Sequence, residues 1–199
     1  MVVNTAHGMT WESGPEVLSA FERYKKDPAP HVPHFLVFLD ERRVRSADQR
    51  TWMMCANAAS LLTFGNAEGR KLLRQKLVEF QTVRDGLRAT QSAALKGLPA
   101  KPSAAELAPL LAREEEIKNL IRVERSGVSG FASQRSLELR DLVLSRVETD
   151  SDLQDTYVDY FEATAKADPE VRARLQKMLD SKRALGLAPH LKRFLAASR

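Results

Sequence analysis

One segment constrains the fold of this chain more than any other, a run from Ala67 into the nineties that contains no proline. At about 100° of rotation per residue, six large apolar side chains of this run fall on one continuous face of a helix. They are Leu72, Leu73, Leu77, Phe80, Val83 and Leu87. A face of this kind predicts a long amphipathic helix that buries one side against other helices.

Capping residues and helix-ending residues divide the rest of the chain into further segments of helical periodicity. Ser13 with Glu16, and Ser103 with Glu106, have the spacing of capping boxes. Asp168 before Pro169 indicates another helix start. We predict helices from Ser13 to the prolines that begin at Pro28, over 34–45, over 47–64 with Ser46 as cap and Gly65 as end, from 67 into the nineties, over 104–125 with a kink or restart at Pro109, over 133–148, 151–167 and 169–186, and from Pro189 onwards.

The predicted fold class is all-α, with about eight or nine helices in a bundle or a stack of helical hairpins, including an α-solenoid-like arrangement. The apolar run His34–Leu39 has strand propensity, but no other segment offers it a partner strand. The pair of helices around Thr51–Gly86, hinged at Gly65 and Asn66, resembles one repeat of the tetratricopeptide or pentatricopeptide kind. The resemblance covers this pair alone, because no signature residues recur at a period of about 34 residues.

Glycine and proline mark one clear linker near the middle of the chain. Gly97, Pro99 and Pro102 lie within six residues of one another, and such residues break helices. We therefore predict an N-terminal helical half over residues 1–96, a linker over 97–102 and a C-terminal helical half over 103–199, as parts of one helical unit.

Composition indicates an intracellular protein of a reducing compartment, without separating cytoplasm from organelle matrix. The single cysteine, Cys55, excludes an intrachain disulfide. No lysine or arginine precedes Arg23, so we expect neither a signal peptide nor an arginine-rich transit peptide at this N-terminus. The longest uncharged run, Thr51–Ala67, is shorter than the ~20 apolar residues that span a bilayer. We expect no transmembrane segment.

No catalytic motif is present in the sequence, and we predict neither an enzyme nor a bound cofactor. Cys55 lies within an uncharged helical segment, which is typical of an inert buried thiol rather than a nucleophile. His31 and His34 have the spacing of a metal pair, but they flank Pro33, and no Glu-x-x-His or His-Glu-x-x-His motif completes a site. We therefore assign no metal site.

Three charged stripes are the candidate interaction surface. On the long helix, an arginine row spans an arc of about 80° and could bind phosphates or an acidic protein, or only keep the helix hydrated. Near the C-terminus, an acidic helix precedes a basic one, and the two could pair within the chain, face solvent or, for the acids, hold a divalent cation. The candidate residues are Arg70, Arg74, Arg84 and Arg88; Asp152, Asp155, Asp159 and Glu162; and Arg172, Arg174, Lys177, Lys182 and Arg183.

The leading functional hypothesis is a non-catalytic helical scaffold, adaptor or accessory subunit that docks onto a larger protein assembly. The first alternative is nucleic-acid binding through the arginine row and the C-terminal bases, since rows of arginine can track phosphates. The second is a helical metal-dependent enzyme that uses the acidic stripe. The net charge of +5 does not separate these hypotheses.

Overall fold

A computed structural model describes residues 26–181 and 185–196. Across these residues the chain forms nine α-helices and no strand, which confirms the all-α class. The first predicted helix, which begins at Ser13, lies outside the described residues. The helices are α1 (Val32–Phe38), α2 (Glu41–Arg45), α3 (Gln49–Thr63), α4 (Ala67–Lys96), α5 (Ala104–Ser133), α6 (Arg140–Arg146), α7 (Gln154–Thr164), α8 (Pro169–Asp180) and α9 (Ala188–Ala196).

The chain divides into two compact units, and the boundary falls inside α5, between Gly127 and Val128. Residues 97–102, which we predicted to link two halves, join α4 to α5 within the first unit.

The first unit is built on α3, α4 and the first part of α5. Contacts between Arg84 and Glu124, and between Gln91 and Glu114, show that α4 and α5 run antiparallel. The Ser126 hydroxyl donates to the Ala56 carbonyl at 2.7 Å, and Asn119 donates to Ala47 at 2.8 Å. These two contacts show that α3 lies parallel to α5. The short helices α1 and α2 pack on α3.

Helix α5 is longer than the predicted 104–125, because the helix continues through Pro109 and through the glycines near its end. The capping box is confirmed, since the Glu106 carboxylate accepts from the Ser103 amide at 2.7 Å. Pro109 follows within the second turn and the helix continues through it. A side chain at Gly127 would place its Cβ 3.1 Å from the Leu77 Cδ2 atom. Gly127 therefore allows α4 to approach α5 closely instead of ending the helix.

The predicted helix over 34–45 is wrong in detail, because the chain breaks at Asp40. Asp40 is extended, and its carboxylate caps α2 by accepting from the Arg43 amide at 3.1 Å. The predicted cap at Ser46 is also wrong. Asp48 caps α3 by accepting from the Thr51 amide at 2.7 Å, whereas the Ser46 hydroxyl donates to the Arg42 carbonyl at the end of α2.

The second unit contains α6 to α9, and α9 packs on both α7 and α8. Helix α6 starts later than predicted because Arg135 adopts a positive φ of 50° and Ser136 is extended. The buried Tyr160 hydroxyl donates to the Ser136 carbonyl at 2.8 Å. Asp168 caps α8 as predicted, accepting from the amides of Glu170 and Val171.

Candidate functional site

The middle of the predicted arginine row is inside the first unit, not on its surface. The Arg84 and Glu124 side chains are each 1% exposed. The Arg84 Nε and Nη2 atoms donate to the two Glu124 carboxylate oxygens at 2.9 and 3.0 Å. This is the bidentate geometry that arginine forms with a carboxylate. Arg84 is therefore an internal partner of α5, and the prediction that it belongs to an exposed row is wrong.

The other members of the row have different environments. Arg70 is half-buried and its Nη1 atom donates to the Gly65 carbonyl at 3.1 Å, which ties the start of α4 to the preceding turn. Arg88 is half-buried, and Arg74 is exposed. The four arginines do not share one exposed face.

Arg84 is buried because it belongs to a regularly spaced set of α4 residues that contact α5. Leu77, Arg84 and Gln91 follow one another at intervals of seven residues, and each contacts α5. A seven-residue repeat keeps one seam of a helix against its neighbour. This repeat is the sequence signal that could have placed Arg84 inside.

The acidic stripe on α7 is partly neutralised within the second unit. Glu162 accepts from Arg193 of α9 at 3.2 Å. The Asp155 carboxylate accepts from the adjacent Thr156 amide at 2.8 Å, and Asp152 is half-buried. Partial burial raises the pKa of Asp159; the carboxylates of Asp155 and Glu162 raise it further, while His190 and Arg193 oppose the shift.

Within the described part of the chain, no group of three or more His, Cys, Asp or Glu side chains lies close enough to hold a metal ion. The four carboxylates of the stripe therefore do not come together as a ligand set.

Two arginines of the described part of the basic stripe have partners within the chain, and neither of these partners is an acid of α7. Arg174 donates to Glu148 at 2.9 Å, and Arg172 donates to the Leu195 carbonyl at the end of α9 at 2.8 Å. Lys177 is exposed. Lys182 and Arg183 lie outside the described residues.

A further exposed surface lies at the end of the α4–α5 hairpin. We call residues 86–112 the hairpin end. Leu110 is its only buried residue, while Leu95 and Leu111 are 53% and 68% exposed. Its 27 residues include four charged ones, Arg88, Lys96, Lys101 and Glu106, whereas 29% of the whole chain is charged. The hairpin end is thus an exposed two-helix surface rich in alanine and leucine.

The Cys55 thiol is buried, whereas the histidines of the described residues are exposed. Burial raises the pKa of Cys55 from 9.0 to about 11, although the charge of Arg43 opposes the shift. The side chain has no solvent exposure. His31, His34 and His190 are exposed.

Cys55 is expected to react very slowly with Ellman's reagent in the native protein at pH 8. The rise in pKa from 9.0 to about 11 lowers the thiolate fraction about a hundredfold, and burial excludes the reagent as well. The absorbance change on reaction with the reagent, followed at native and at denaturing urea concentrations, measures the two rates. Equal rates in the two conditions would contradict a buried thiol.

No described helix is long and apolar enough to cross a membrane. Comparisons with protein-family models, curated proteins and solved structures return no match to this chain.

Proposed function

We propose that this chain is a non-catalytic helical adaptor or accessory subunit that docks onto a larger protein assembly through the hairpin end. The observation that carries the proposal is that, among the described residues, no third layer covers residues 86–112, where Leu110 alone is buried.

A helix pair normally buries its apolar stripe against a further element. In the first unit, α3 is the element that packs on the rest of the α4–α5 hairpin, where Leu73, Leu77 and Phe80 are fully buried. The hairpin end extends α4 for eleven more residues, about 16 Å at the rise of an α-helix. Leu95 and Leu111 remain exposed there, so no element among the described residues covers this stretch of the helix pair.

The hairpin end shares one feature with the centre of a protein interface, a low content of charged residues. Interface cores are depleted in charged residues. Eight alanines in residues 86–112 leave little side-chain bulk on the two helices, which allows close approach of another helix. The partner expected from this chemistry is a protein that presents an apolar helical face.

The decisive experiment compares two double variants in quantitative co-purification from native lysate. L95Q/L111Q places amides at the hairpin end, and V37Q/V78Q makes the same change at two apolar residues exposed elsewhere in the first unit. Burying one leucine contributes about 1.5–3 kcal/mol, so losing two is expected to reduce partner recovery more than tenfold. The control is expected to recover the partner as the wild type does.

Circular dichroism should show unchanged helicity in both variants, because all four positions are exposed. Equal recovery by the two variants, or a wild-type chain that purifies alone, would refute the proposal. In a different outcome, these leucines would hold only identical chains together. Light scattering, which measures the oligomeric state, distinguishes that outcome.

The two alternatives have less support. Nucleic-acid binding loses the middle of its phosphate-binding row, because Arg84 is buried on Glu124. The metal-dependent enzyme needs a ligand set that the described carboxylates do not form. The adaptor hypothesis is the one for which the structure offers a specific surface.

A further inference from the structure

The second unit contains an open groove between α8 and α9, of about 380 Å³. Its walls combine cationic and apolar side chains, namely Arg172, Gln176, Leu179, Lys192, Leu195 and Ala196. Binding sites for small molecules have volumes of about 300–1,000 Å³ and combine apolar walls with a few polar groups. The groove therefore has the size of a site for a small ligand.

Arg172 is held in place by the backbone and not by an acid. Its Nη2 atom donates to the Leu195 carbonyl at 2.8 Å and its Nη1 atom to the Lys166 carbonyl at 3.4 Å. A guanidinium has five N–H donors, so these two bonds leave three available. Among the described residues no carboxylate lies within ion-pair distance of Arg172. Its charge is oriented but not neutralised.

Neighbouring arginines show that this is a local property of the groove. Arg174 on α8 pairs with Glu148, and Arg193 on α9 pairs with Glu162. Lys192, the second cation of the groove, is exposed and has no ion pair among the described residues. Among the described residues, these two arginines outside the groove have carboxylate partners, whereas the two cations that line it do not.

We propose that this groove binds a small organic anion, a carboxylate on a short alkyl chain. The carboxylate would accept hydrogen bonds from the remaining donors of Arg172 and from the Lys192 ammonium, as carboxylates do with arginine and lysine. The alkyl chain would lie against Leu179, Leu195 and Ala196. This site is separate from the hairpin end and does not depend on the adaptor function.

Titration of the full chain with hexanoate, followed by nuclear magnetic resonance of backbone amides, tests the proposal. We expect saturable shifts confined to α8 and α9, and none with hexanol or with chloride at the same concentration. K192Q is expected to weaken hexanoate binding about twofold to fivefold, the effect of one exposed charge. K177Q removes the same charge from an exposed position of α8 outside the groove and should leave binding unchanged.

R172Q should weaken binding further, but Arg172 also contacts the end of α9, so K192Q against K177Q is the decisive pair. Absence of saturable shifts with hexanoate would overturn the proposal. So would equal weakening by K192Q and K177Q, which would indicate only diffuse attraction to a basic protein, or equal binding of hexanol, which would indicate only an apolar groove.

Discussion

Replacement of Arg84 by methionine is expected to lower the free energy of unfolding of the first unit by about 3–5 kcal/mol. The substitution removes the cation from a Glu124 carboxylate that is 1% exposed and receives two hydrogen bonds from Arg84. Without Arg84, the buried carboxylate loses the two hydrogen bonds and the neighbouring charge that offset its loss of hydration. Urea denaturation monitored by Trp52, a residue of α3, measures the change; a Trp11→Phe background removes the chain's other tryptophan.

Two further variants separate the ion pair from the helix that carries it. R74M changes an exposed arginine of the same helix and is expected to alter stability by less than about 0.5 kcal/mol. R84M/E124L replaces both partners with apolar side chains and should recover most of the lost stability. The reason is that well-packed apolar side chains usually stabilise a protein as much as the buried ion pair they replace. A loss in R84M no larger than in R74M would show that the pair is not buried in solution.

The same ion pair shows where prediction from the sequence stops. The apolar face of α4 and its length were predictable, because Leu73, Leu77 and Phe80 recur at helical spacing and are buried. Arg84 was assigned to solvent because charge normally indicates exposure. Its partner Glu124 lies 40 residues away. The seven-residue repeat of α4 places Arg84 beside a neighbouring helix, but the sequence of α4 alone does not identify that partner.

Helix starts were predictable where the capping side chain has no competitor nearby. Asp168 before Pro169 is such a case, and so is Ser103 with Glu106. Between α2 and α3 the sequence offers both Ser46 and Asp48, and the structure uses Asp48. The hairpin end was not predicted, because the exposure of Leu95 and Leu111 depends on how far α3 extends along α4 and α5. That extent is a tertiary property, which helical periodicity does not contain.

Replacement of Asp168 by alanine is expected to destabilise the second unit by about 2–3 kcal/mol, because this side chain makes two kinds of contact. As the cap of α8 it accepts from the Glu170 and Val171 amides at 2.9 and 3.2 Å, and such a cap contributes about 1 kcal/mol. It also accepts from the Arg140 Nε and Nη2 atoms at 2.7 and 3.1 Å. Both side chains are about one fifth exposed, so solvent screening limits the second contribution to roughly 1–2 kcal/mol.

Hydrogen exchange of the α8 amides measures this loss locally, and asparagine separates its two parts. D168N can still accept at the cap, so we expect it to lose about half as much as D168A. D141A is the matched control, since Asp141 contacts the same arginine at 2.7 Å but its side chain is 80% exposed. It should change exchange by less than about 0.5 kcal/mol.

The pH dependence provides an independent check on the Arg140 contact. Hydrogen bonding from the Arg140 guanidinium holds the pKa of Asp168 below its ordinary value of 3.8, although desolvation opposes the shift. A carboxyl whose pKa is lower in the folded state stabilises that state above its unfolded pKa, and the contribution disappears as the pH falls through the folded value. The stability difference between wild type and D168N should therefore persist from pH 7 to about pH 5 and shrink below pH 4. Two results would contradict this contact between Arg140 and Asp168. One is a loss of stability in D141A as large as in D168A, and the other is a stability difference between wild type and D168N that stays constant down to pH 2.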